Sequence, residues 1–204
     1  MSDNVRLVRG IGINTGHYPS YRDRKNVKEY QLWGNMLDRC KEKHWEKYPT
    51  YIGTSCSDNF KSYTYFYEWC QRQKGFNSKD EIGARKTWHL DKDILVRGNK
   101  VYSEDTCVFV PQRINKLLIK SNSARGDQII GVYWNKRRCV FVAQCGNSDD
   151  KHKHLGHFGT QQEAFLAYKI FKEALIKQVA NEYKEMLDSR VYEALMNYEV
   201  NIYD

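Results

Sequence analysis

The sequence has six cysteines but no C-x-x-C pair among them, and no apolar run near the ~20 residues of a membrane-spanning helix. Cys40, Cys56, Cys70, Cys107, Cys139 and Cys145 are irregularly spaced in apolar or aromatic neighbourhoods, which reads as buried free thiols in a reducing cytoplasm. The opening MSDNVRLVRG lacks the apolar stretch of a signal peptide, so a soluble intracellular chain without membrane partners is expected. Aliphatic residues are also in modest supply. The apolar share is 41%, and much of it is aromatic, with 15 Tyr and 5 Trp; this suffices for a core, though not a generous one. Acids are outnumbered, 25 against 33 Lys and Arg, giving a formal charge of +8 spread along the chain. A basic chain rich in Tyr and Trp makes nucleic acid the leading partner, because Lys and Arg neutralise phosphates and release counterions.

At 204 residues the chain is long enough for one mid-sized domain or two small ones. Residues 1 to 26 read as irregular. Tyr30, Trp33, Leu37 and Cys40 then recur at helical spacing, which predicts a helix over about 27–43, broken by YPTYIG. A second helix is expected after Asn59, burying Phe60, Tyr63, Phe66, Tyr67 and Trp69. WHLDKDILVRGNKVYS, residues 88–103, reads as two short strands around a turn at Gly98-Asn99. TCVFVP is β-rich, and QRINKLLIK is a short helix with Ile114, Leu117 and Leu118 on one face. SNSARGDQ, 121–128, reads as a linker.

Three short strands are expected over 130–134, 138–145 and 154–158. Thr160 with Glu163 forms a capping box, and the helix after it, reaching about 188, should bury Ala164, Ala167, Tyr168, Phe171 and Leu175. The remaining tail, 189–204, carries more acids than bases and is expected to pack back on the body. The fold class is therefore α+β: a helical, aromatic region over 1–120 with a strand-strand-helix finger at about 86–120, then a sheet-plus-helix domain over 129–188. The exposed face of that sheet would carry Arg125, Tyr133, Trp134, Lys136, Arg137 and Arg138, suited to double-stranded DNA. His152, His154 and His157 in HKHLGH invite zinc, but structural zinc sites usually take four ligands with a close cysteine pair, and the histidines are expected to face solvent or phosphate.

GVYWNKRRCVFVAQ…KHLGHFGTQQEAFLAY resembles the Apetala2-type DNA-binding domain through Gly131, Val132, Leu155, Gly156, Phe158, Thr160, Glu163, Ala164, Ala167 and Tyr168. The resemblance implies a sheet docked in the major groove with the helix behind it. The loop CGNSDDKHKH is longer than that family's turn.

LDKDILVRGNKVYSEDTCVFVPQRIN resembles the HNH-like ββα-metal finger of phage-encoded endonucleases that carry an Apetala2-type domain, and WGNMLDRC…YPTY is similar to them too. The resemblance implies a hydrolase of homing or host-directed type, acting in the cytoplasm of an infected cell. It assigns Asp91 to the metal carboxylate, Asn99 to the loop asparagine and Asn115 to the helix metal ligand, with Mg²⁺ or Mn²⁺ at the phosphate. The sequence departs from the family at Lys92, which stands where its catalytic His would follow the Asp. His89 lies two residues before Asp91, on the same strand face, and is one candidate base; Lys92 is another, or a phosphate contact. Asp93 shares that alternation and would complete the metal site. Two other classes of reading stay open. One is a DNA-binding regulator whose finger has lost catalysis, favoured by Lys92; the other is a phage accessory protein that binds a host protein.

Overall fold

The computed structural model describes residues 7–82, 87–119, 128–146 and 152–204. Its elements in chain order are β1 (Tyr21–Arg22), β2 (Lys25–Asn26), α1 (Lys28–Arg39), α2 (Glu42–Lys47), β3 (Ser55–Cys56), α3 (Asp58–Lys61), α4 (Tyr63–Arg72), β4 (Trp88–Asp91), β5 (Val101–Tyr102) and β6 (Val108–Pro111). They continue with α5 (Gln112–Leu117), β7 (Val132–Asn135), β8 (Val140–Gly146), β9 (His152–Phe158), α6 (Gln161–Glu182) and α7 (Ser189–Met196). The fold is α+β, as the sequence predicts. Among the described residues no helix is long and apolar enough to cross a membrane.

The chain divides into two compact units, neither continuous in sequence: Met1–Ser78 with Leu90–Phe109, and Lys79–His89 with Val110–Asp204. In the first, α1 presents Trp33, Met36 and Leu37 at helical spacing, all fully buried, toward Phe60, Tyr63, Phe66 and Trp69 of α3 and α4. The Trp33 indole N–H donates to the Phe60 carbonyl at 2.7 Å, so the largest core side chain leaves no buried donor unsatisfied. The helix expected after Asn59 is two helices, broken at Ser62. There the backbone is extended (φ −84°, ψ 120°) and bridges to Ile13, while the Ser62 hydroxyl caps the next helix by accepting from the Tyr65 N–H. Tyr67 is half-buried rather than core.

The expected hairpin over 88–103 does not form. β4 pairs with β6, whereas β5 pairs in parallel with β3, Ser55 opposite Val101. Gly98 takes the positive φ (+76°) the turn requires. The order of strand, loop, strand and helix survives with β6 as the second strand and α5 following it directly.

In the second unit, β7-β8-β9 is antiparallel, with Val132 opposite Ala143 and Phe141 opposite Phe158. A register shift between Ala143 and Gln144 leaves Leu155 as the extra residue of a bulge. The Thr160–Glu163 capping box forms as expected and starts α6, which lays Ala164 against Val132 and Ala143. Tyr168 packs with Ile130, Cys145 and Val200. A Cβ on Gly131, at φ +76°, would overlap the Tyr168 ring, so glycine is demanded twice at this position. α6 ends at Glu182, six residues before the expected 188, because Asp188 caps the separate helix α7. The tail does pack back: Val191, Leu195 and Val200 are buried, and Lys169 donates to the Val200 carbonyl at 2.8 Å.

Candidate functional site

Asp91 closes β4 and immediately organises the turn after it. Its Oδ1 accepts from the backbone N–H groups of Asp93 (2.9 Å) and Ile94 (2.8 Å). Asp93 therefore does not share a strand face with Asp91, as its alternation suggests; the strand has already ended and Asp93 lies in the turn. The two carboxyl groups nevertheless interact. Burial first, and the Asp93 charge second, push the Asp91 pKa up to about 6, against the two backbone donors that pull it down. Carboxylate oxygens are the hard donors that Mg²⁺ and Mn²⁺ take.

Lys92 and Asn99 occupy the same loop, but their polar atoms point into it. Lys92 is only 8% exposed. Its Nζ donates to the Asn99 carbonyl at 2.8 Å, lies 3.3 Å from Asp93 Oδ2 and sits 5.8 Å above the Tyr102 ring. Asn99 Nδ2 donates to the carbonyls of Lys92 (2.6 Å) and Val101 (2.7 Å), and its Oδ1 accepts from the Val101 N–H at 3.0 Å. These bonds give both residues a holding role in the loop. Sequence reasoning missed Arg39, at the end of α1, which donates to the Tyr102 hydroxyl at 3.1 Å. Burial works against its charge, but Tyr102, Tyr51 and Asp91 outweigh it and hold the guanidinium pKa above its ordinary value. Its signal in sequence is faint, since Arg39 falls off the apolar stripe of its helix.

In the second unit, α5 presents Asn115 to His89 of β4: Asn115 Nδ2 and His89 Nδ1 are 3.3 Å apart. The helix is fixed at its start, where the Gln112 N–H donates to the Thr87 carbonyl (3.0 Å), and by the Arg113–Glu182 ion pair. The adjoining segment is anchored by Asp80, fully buried, whose carboxylate accepts from the Tyr183 hydroxyl at 2.9 and 3.0 Å.

On the sheet of this unit, Tyr133, Trp134, Lys136, Arg137 and Arg138 are all exposed. Asn135 Oδ1 accepts from the N–H groups of Arg137 and Arg138, both at 3.1 Å, which shapes the β7–β8 turn that displays them. Arg138 Nη1 lies 3.3 Å from His157 Nε2. Tyr133 and Trp134 do not form one face. They are consecutive on β7, and Trp134 shares the side of Val132, packing on Phe141 with ring centroids 4.7 Å apart. Arg125, most of the expected linker and the loop residues 147–151 lie outside the described residues.

All six cysteines are free; Cys70, Cys107 and Cys145 are buried as expected, but Cys40 and Cys56 are only half-buried and Cys139, at φ 52°, is exposed. His152, His154 and His157 are exposed on β9. Among the described residues no three His, Cys, Asp or Glu side chains converge as a metal group. The chain matches no protein-family model, no curated protein and no solved structure.

Proposed function

We propose that the protein is a phage-type, HNH-like endonuclease that binds double-stranded DNA and hydrolyses its phosphodiester bonds, acting in the cytoplasm of an infected cell. The observation that carries this reading is the placement of His89, on the first strand of a strand-loop-strand-helix order, 3.3 Å from Asn115 on the helix. Asn115 is the helix position that the resemblance to HNH fingers assigns to chemistry, and His89 is the base suggested by its alternation with Asp91 on the strand.

Asp91 and Asp93 would hold a divalent ion. The chemistry such an ion supplies when bound is neutralisation of the scissile phosphate and stabilisation of the leaving oxygen. His89 is the base that takes a proton from the attacking water. The 3.3 Å contact between Asn115 Nδ2 and His89 Nδ1 orients the imidazole, with the direction of the hydrogen bond set by the ring's tautomer. Asn115 thus acts as a positioning residue. Lys92, already bonded within the loop, keeps the turn that carries Asp91 and Asp93 in shape. Lys136, Arg137, Arg138 and Tyr133 would contact the DNA, with Trp134 reaching it from the tip of the β7–β8 hairpin.

The test is plasmid nicking in Mg²⁺ or Mn²⁺. Wild type is expected to cut, Asp91→Ala to lose cleavage while still binding DNA, and His89→Ala and Asn115→Ala to lose at least about tenfold in rate. Equal cleavage by wild type, Asp91→Ala and Asn115→Ala would sink the site. A second reading, a DNA-binding regulator without catalysis, is favoured by Lys92 standing where the family has its His. It predicts salt-dependent DNA binding and no cleavage with any metal.

A further inference from the structure

The junction between α1 and α2 opens a groove of about 520 Å³, lined by Arg39, Lys41, Lys43, His44, Lys47 and Tyr48. Charge is sorted on α2. Lys43 and Lys47 stand one turn apart and line the groove, whereas Glu42 and Glu46, also one turn apart, do not. Asp38 is the one acid in the lining, and its charge is already answered by Lys41 and by Arg9 Nε at 3.5 Å. Among the described residues neither Lys43 nor Lys47 has a carboxylate at ion-pair distance.

Aromatic faces lie between these cations. Tyr48 is 43% exposed, with the Lys47 ammonium 5.2 Å from its ring centre and the His44 ring 4.7 Å away. Arg39 lies 5.5 Å over the Tyr51 ring. Unanswered cations interleaved with aromatic rings match a sugar-phosphate strand, whose phosphates pair with Lys and Arg while sugars and bases pack on π-faces. Lys residues a turn apart, about 5–6 Å between their Cβ atoms, suit successive phosphates better than one small anion. Arg39 gives the groove a direction: it donates to the Tyr102 hydroxyl at 3.1 Å, and Lys92, next to Asp91, sits 5.8 Å over the same ring.

We propose that this groove is a second DNA-binding site, which holds the backbone of one DNA strand and leads it toward Asp91. The proposal rests on the endonuclease reading but assigns a surface that reading does not use. The experiment is fluorescence anisotropy on the full chain with a labelled duplex, its single strand and an RNA of the same sequence, across a salt series. The variants are Lys43→Ala/Lys47→Ala, Lys43→Arg/Lys47→Arg and Arg137→Ala/Arg138→Ala.

The alanine pair in the groove should weaken DNA binding about tenfold and flatten the log–log salt slope by about 1.8, the loss of two phosphate contacts, and the arginine pair should restore both. Wild-type affinity and slope in the alanine pair, with the Arg137/Arg138 variant weakened, would overturn the groove and leave the endonuclease reading standing. Loss of RNA binding alone would overturn it in favour of an RNA site. A wild type that binds neither form of DNA would overturn both.

Discussion

Lys92 and Asn99 hold each other by their main chains: each side chain donates to the other's backbone carbonyl, at 2.8 and 2.6 Å. Lys92 is thereby a strut of the loop that carries Asp91 and Asp93. Removing it leaves the half-buried Asn99 carbonyl without its donor and empties the space that the Lys92 stem fills. Lys92→Ala is expected to lose about 2–3 kcal/mol of stability in urea denaturation. Wild-type stability combined with abolished cleavage would instead return Lys92 to the chemistry.

The half-buried position of Asp91 makes its charge a cost. Its pKa is about 6 in the fold and about 3.9 in an unfolded chain, so the folded state binds the proton more tightly. The favourable contribution is complete below about pH 4 and is lost as pH rises through about 6. Asp91→Asn keeps an oxygen for the Asp93 and Ile94 N–H groups and removes the charge. At pH 7 it should be more stable than wild type by on the order of 2 kcal/mol, and at pH 4 by nothing. Urea midpoints that differ equally at both pH values would refute this account.

Divalent cations should relieve the same cost. At a concentration on the order of 100 times its Kd, Mg²⁺ or Mn²⁺ should stabilise the wild type by about 2.7 kcal/mol, seen as a rise of several degrees in Tm. Asp91→Asn should show little of that rise. Calorimetry gives the readout without any assay of cleavage.

Gly131 and Tyr168 form the tightest seam of the sheet-helix domain. Gly131→Ala must both adopt φ +76° and displace an aromatic ring, and is expected to cost about 2–4 kcal/mol. Adding Tyr168→Leu should recover the steric part and leave the backbone part. A second substitution that recovers nothing would show that the backbone alone is responsible.

These cases also show what can be read from sequence. Thr160 with Glu163 is a local pattern, and the structure forms the capping box as expected, whereas the packing of Gly131 on Tyr168 joins residues too far apart for local pattern to show. The alternation of Tyr133 and Trp134 was equally local, and strand periodicity separates them although composition groups them. The loop after Asp91 is different. β5 finds its partner at Ser55, far back in the chain, and the helix after Asn59 breaks because Ser62 bridges to Ile13. Such pairings depend on contacts that no window of neighbouring residues contains. Of the candidate site, the position of His89 on a strand and of Asn115 on a helix was legible from local pattern; the inward bonds of Lys92 and Asn99, and the presence of Arg39, were not.

The anchoring of Asp80 and Arg113 to Tyr183 and Glu182 sets an order on the making of the protein. During synthesis His89 and Asn115 leave the ribosome well before the end of α6, and until that end emerges the segments bearing them lack their supports. A nascent or prematurely stopped chain would thus display its basic surfaces without an ordered finger. Pulse proteolysis of chains ended before residue 183 should find the chain around Asp80 and Arg113 cleaved far faster than in the complete protein. The pairing of His89 with Asn115 is thus among the last parts of the molecule to gain its supports.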